Sequence, residues 1–147
     1  MKNIDELFIC ITNVGYEPKA LWGKMSFQHM IEHLTQSVRI SNGKLTVACN
    51  TPEEKLPTLK RILMSERPLP KNFINPIIGE NLLPLEYSSI VEAISALRVE
   101  IDDYKNLLKE KPESIFVNPT FGSLNKEEWE VFHRKHFLHH LSQFGLV

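Results

Sequence analysis

The sequence predicts an all-α fold, a four-helix bundle of the up-and-down type with one long crossover, as a single domain over residues 1–147. Three observations predict it. Apolar residues recur at three- and four-residue steps in three long segments. Each of these segments opens at a residue able to cap a helix and closes near Gly or Pro. No segment carries strand alternation of comparable quality. A helix with one apolar face needs a partner face, and a chain of 147 residues can bury one sizeable core.

In chain order, Leu7 to Val14 (LFICITNV) is ambiguous between a helical turn and a short strand, and it reads as helical because nothing else offers a pairing edge. From Ser26 to about Asn42, Phe27, Met30, Ile31, Leu34 and Val38 form one stripe, with Ser26 as N-cap and Gly43 as stop. Thr51 is expected to cap the next helix, opened by Pro52 with Glu53 and Glu54 in its first turn and running through Leu56, Leu59, Ile62 and Leu63. Arg67 to Tyr87 holds Pro68, Pro70, Pro76, Pro84 and Gly79, which rules out a long regular element and predicts a surface crossover. Ser88 or Ser89 starts the clearest helix, with Ile90, Ile94, Leu97, Ile101, Tyr104 and Leu108 on one side, ended by Lys111, Pro112 and Glu113. The stretch SIFVNPTFGSLN is expected to be a turn-rich connection. The last helix opens at Asn125 with Glu127 and Glu128 and continues through Trp129, Phe132, Phe137, Leu141 and Phe144 to Gly145.

Composition excludes several classes. Lys plus Arg (17) nearly cancels Asp plus Glu (18), so no polyanion-binding surface is written into the chain and nucleic acid is not an expected partner. Cys10 and Cys49 are too few and too far apart for a disulfide framework or a thiolate zinc knuckle, and a reducing, cytoplasmic location is expected. The N-terminal MKNIDELFICITNV has no small-residue cleavage site, and no apolar run approaches the roughly 20 residues that span a bilayer, so no membrane association is expected.

The six histidines carry the chemical signal, because all fall in two short stretches. His136 and His140 are four apart, so their imidazoles leave one helix face close enough to share a metal ion. His29 and His33 are also four apart, on the Ser26 helix, and one of them can face that pair across the core. A lone helical histidine is ordinarily a surface or hydrogen-bonded core residue, and His29 and His139 fit that description. His133, one turn before His136 on the same face, competes for a ligand position.

The segments WGKMSFQHMIEHL, NPTFGSLNKEEW and HFLHHLSQFG, in this order, resemble the DinB-like (YfiT-like) superfamily, in particular a branch of small uncharacterised bacterial proteins, over about residues 22–145. The resemblance implies a four-helix bundle holding a divalent metal with three histidines, which fall here on His33, His136 and His140. It places Gln143, Asn118, Phe121 and Gly122 at positions typical of the branch, with a supporting role. The segment before Trp22 is shorter than is usual in the superfamily, so an abbreviated first helix is expected. A homodimer is also implied, which a net charge of -1 does little to oppose.

Three neutral ligands leave a divalent ion one open position and its full charge, which activates a water or a thiol near neutral pH. Imidazoles suit zinc, nickel and iron alike. The expected activity is that of a metal-dependent enzyme, a thiol transferase or hydrolase acting on a small electrophilic substrate, with a low-molecular-weight thiol as cosubstrate in the first case. The alternative is a metal- or ligand-binding helical module without turnover. No acid-base residue is signalled: Glu32, Glu86, Tyr87, Glu128 and Glu130 all have structural explanations, and Trp22 and Trp129 are expected in the core.

Overall fold

Asn3, Ser26, Ser89 and Asn125 each stand in extended backbone just before a helix, and each side chain accepts a hydrogen bond from the backbone N–H three residues on. The computed structural model describes residues 2–71, 73 and 82–147. Among these residues it contains α1 (Ile4–Thr12), α2 (Phe27–Ser41), α3 (Leu56–Met64), α4 (Ile90–Glu110) and α5 (Lys126–Gln143), with two short strands, β1 (Phe116–Asn118) and β2 (Gly122–Leu124). The chain is mostly helical. No helix among the described residues is long and apolar enough to cross a membrane.

Asn125 forms a full capping box: its side chain accepts from Glu128 N at 3.0 Å while the Glu128 carboxylate accepts from Asn125 N at 2.9 Å. Asn125→Ala is expected to destabilise the protein by about 1 kcal/mol, seen as a lower denaturant midpoint at unchanged slope, and Asn125→Asp is expected to keep most of the wild-type stability. A midpoint unchanged in Asn125→Ala would show that α5 is held by packing alone.

α2 packs on α4 and α5, and α1 packs on the same two helices, while α3 lies against α5. Leu7, Ile11, Met30, Leu34, Leu97, Ile101, Phe137 and Leu141 meet in the shared core. Ion pairs tie the outer faces of α2 and α4 together: Arg39 Nε lies 2.9 Å from Glu100, and Lys44 Nζ lies 2.8 Å from the same carboxylate.

Two segments differ from expectation. Thr51 does not cap a helix. Its hydroxyl donates to the Thr120 carbonyl at 2.7 Å, and a 3-10 turn (Glu53–Lys55) precedes α3, with Pro57 in the first turn where its missing N–H costs nothing. The buried Lys135 of α5 closes the other end of α3, donating from Nζ to the Ser65 carbonyl at 2.8 Å.

The connection before α5 is an antiparallel hairpin, with Phe116 opposite Leu124 and Asn118 opposite Gly122. Asn118 organises its turn, its side-chain oxygen accepting from the backbone N–H groups of Thr120 and Phe121 at 2.9 and 3.0 Å. Gly122 has φ +76°, a conformation that favours glycine. Trp129 is buried and donates from Nε1 to the Phe116 carbonyl, which joins the hairpin to α5. The crossover leaves α3 without helix or strand in its described part. At its exit Glu32 accepts from the backbone N–H groups of Glu86 and Tyr87 at 2.6 and 3.3 Å. Pro76 and Gly79 lie outside the described residues.

Candidate metal centre

The packing of α2 against α5 sets position 33 opposite the one-turn pair at 136 and 140. His33 Nε2 lies 2.9 Å from His136 Nε2, and His140 Nε2 lies 3.1 Å from the same atom. The three rings are almost equidistant, with centroid separations of 4.8, 4.7 and 4.8 Å, and each pair meets edge to face. All three residues are buried, with exposures of 4%, 0% and 6%.

The protonation state of His140 follows from its neighbours. Gln143 donates from Nε2 to the Trp22 carbonyl at 3.0 Å, which turns its oxygen toward His140 Nδ1 at 2.8 Å. That oxygen can only accept, so His140 carries its proton on Nδ1 and presents a bare Nε2 to the centre. Gly23 makes this anchor possible: a Cβ there would fall 2.7 Å from Gln143 Nε2, and the backbone at Gly23 has φ +81°.

Hydrogen bonds among the rings cannot satisfy the cluster. His136 Nε2 faces two other Nε2 atoms, while its buried Nδ1 has no partner among the described residues, so either tautomer leaves a polar atom unpaired. A divalent ion would accept all three Nε2 lone pairs, leaving only the His136 Nδ1–H without a partner among the described residues. At ligand distances of about 2.0–2.1 Å and tetrahedral angles, the nitrogens stand roughly 3.4 Å apart, a few tenths of an ångström beyond the spacing here. The donor atoms of His33, His136 and His140 all lie within 4.8 Å of one another and could hold a metal ion.

Burial pushes the His33 and His136 imidazoles well below the ordinary histidine value of 6.5, with the neighbouring rings adding to the effect. Burial also pushes His140 down to about 4, against the hydrogen bond to Gln143, which opposes the shift. All three are therefore neutral at pH 7, the form that binds metal.

The other histidines stand apart from this cluster. His133 is fully buried, but its Nε2 lies 2.7 Å from Ser41 Oγ and its ring sits between those of Trp129 and Tyr104, at centroid distances of 5.3 and 5.0 Å. His29 Nδ1 bonds to Ser26 Oγ at 2.6 Å. His139 lies half-buried on the far side of His140, its ring edge-on to Trp22. Sequence spacing left His133 as a rival ligand because its partner, Ser41, lies on another helix. The roles of Trp22 and Gly23 in orienting Gln143 had no sequence signal beyond the isolated glycine.

A cavity of about 240 Å³ reaches the site at His33, with Met25, Ile40, Leu45 and Leu82 on its apolar wall. Glu32 and Glu86 also line it, but both carboxylates are engaged. Glu32 accepts from Gln28 and two backbone N–H groups, and Glu86 pairs with Arg39 at 3.0 Å.

Residues 92–145 match a family described as a protein of unknown function (DUF1569). The match spans most of α4, the hairpin and α5, and so includes His136, His140 and Gln143 but not His33. No curated protein and no solved structure matches the chain.

Proposed function

We propose that the chain is a metal-dependent enzyme in which His33, His136 and His140 hold one divalent ion, zinc, nickel or iron, and that it acts on a small electrophilic substrate as a thiol transferase or hydrolase. The observation that carries this reading is the convergence of three buried Nε2 atoms with no carboxylate in the cluster. When bound, the ion supplies Lewis acidity at its open position and activates a thiol or water as nucleophile near neutral pH. The protein's own contribution is positional. Gln143 fixes the His140 tautomer, burial keeps the imidazoles neutral, and the apolar wall beside His33 takes the body of the substrate.

The family placement belongs to the same proposal. α1, α2, α4 and α5 contact one another in a closed ring, α2 to α4, α4 to α1, α1 to α5 and α5 to α2, which supports a DinB-like four-helix bundle with α3 and the hairpin as additions. The nine-residue α1 fits the abbreviated first helix expected from the sequence.

A second reading, a metal-binding module without turnover, is favoured by one observation: both carboxylates on the cavity wall are already committed, so neither is free to act as a general base there. Metal-loaded protein tested with a panel of low-molecular-weight thiols and electrophiles separates the two. Turnover that disappears in His136→Ala supports the enzyme. Saturable binding of a thiol without product supports the module, and absence of metal uptake defeats both.

Gln143→Leu removes the acceptor for His140 Nδ1–H without touching a ligand. It is expected to weaken metal affinity by roughly 10- to 100-fold in chelator competition, with stoichiometric loading still reached at high metal. Unchanged affinity would mean that the Trp22–Gln143–His140 chain serves packing alone.

A further inference from the structure

At the other end of α5 from His140 lies a second cavity, of about 180 Å³, between α1, α4 and α5. It shares no residue with the three-histidine cluster. Three side chains on its wall, Tyr104, His133 and Arg134, each bury a polar atom without a partner among the described residues: Tyr104 Oη, His133 Nδ1 and Arg134 Nε. Tyr104 is 2% exposed and His133 is 0% exposed. Buried polar groups are nearly always paired, so three orphans on one cavity ask for a common partner.

The chemistry of that partner can be read from the atoms. Ser41 has one hydroxyl proton, and it is donated to the Val38 carbonyl at 2.8 Å. Ser41 Oγ therefore accepts from His133, which must carry its proton on Nε2 and present a bare Nδ1. His133 Nδ1 needs a donor, Tyr104 Oη can both donate and accept, and Arg134 Nε–H needs an acceptor, preferably an anionic one. The Asp5 carboxylate on the same wall does not meet that need, being held by Arg98 and Lys105 at 3.0 and 2.7 Å. Glu130, four residues before Arg134, also lines the wall but forms no ion pair with it among the described residues, and the remaining wall is Lys105 with the apolar Ile4, Leu108 and Tyr104 ring. A cavity of ~150 Å³ holds one benzene ring, so this one admits a single ring with a small substituent.

We infer that this cavity is a binding site for a small hydroxylated carboxylic acid, whose hydroxyl sits between His133 Nδ1 and Tyr104 Oη and whose carboxylate meets Arg134. 4-Hydroxybenzoate, benzoate and phenol serve as probes, each lacking or keeping one handle. Titration calorimetry on the full chain is expected to give 4-hydroxybenzoate a Kd below about 1 mM, at least ~10-fold tighter than benzoate or phenol. Tyr104→Phe, which keeps the ring and deletes one oxygen, and Arg134→Met are each expected to weaken it by ~10-fold while metal content stays unchanged. If Tyr104→Phe does not fold, the comparison of the three probes on the wild-type protein decides. No saturable binding of any probe, or equal binding of all three, overturns the site and leaves the orphan atoms to ordered water.

Discussion

Alanine in place of His136 is expected to reduce the metal content of tag-free protein from about one equivalent to below about a tenth, measured by elemental analysis after metal loading and desalting. His136 is central to the cluster, its Nε2 lying 2.9 and 3.1 Å from the other two. Two neutral imidazoles hold a divalent ion far more weakly than three. His33→Ala and His140→Ala are expected to give the same loss. His139→Ala and His133→Gln are expected to keep the metal, because His139 lies behind His140 and His133 is committed to Ser41. If His133→Gln empties the site and His140→Ala does not, the ion lies one turn nearer Trp129 and the assignment fails while a three-histidine centre survives. Retention of metal by all the single variants would remove the centre.

The helices were legible where local chemistry decides them. Ser26, Ser89 and Asn125 satisfy orphan N–H groups within three residues of themselves, so their sequence neighbourhood contains the whole interaction. Thr51 looked identical to them, yet its hydroxyl goes to Thr120, 69 residues away, and no local pattern encodes that choice. The hairpin escaped for a related reason. Strands of three residues are too short to establish a period of two, and what forms the turn is one side chain, Asn118, bonding the backbone ahead of it.

In the candidate site, the spacing of His136 and His140 was legible because a helix makes four-residue neighbours adjacent. The selection of His33 over His29 came from the helix face and the resemblance together, and the structure brings His33 to the pair. α5 also defied a simple amphipathic reading. It buries His133, Lys135, His136, His140 and Gln143 beside Trp129, Phe137 and Leu141, because each polar group finds a particular contact: a serine, the end of α3, two other imidazoles, the Trp22 carbonyl. These contacts are tertiary, and each is invisible until the helices are packed.

Acid is expected to destabilise the protein well above the carboxylate range, and His133 supplies a separable share of that effect. Burial among Trp129, Phe132, Phe137 and Tyr104 pushes its imidazole down to about 3 from the ordinary 6.5. Above pH 6.5 the ring is neutral in both folded and unfolded chains and contributes no pH dependence. Below that value the unfolded chain binds a proton that the folded chain refuses, so stability falls as pH falls, by up to ~1.4 kcal/mol per unit from this one group. Between pH 6.5 and about pH 4 the accumulated loss is on the order of 3 kcal/mol. His133→Gln keeps a donor for Ser41 and cannot titrate. It costs stability of its own at pH 7, so the informative quantity is the slope: denaturant midpoints at pH 7, 6, 5 and 4, measured on metal-free protein, are expected to fall less steeply in His133→Gln than in the wild type. Parallel curves would show that His133 takes up its proton in the folded state.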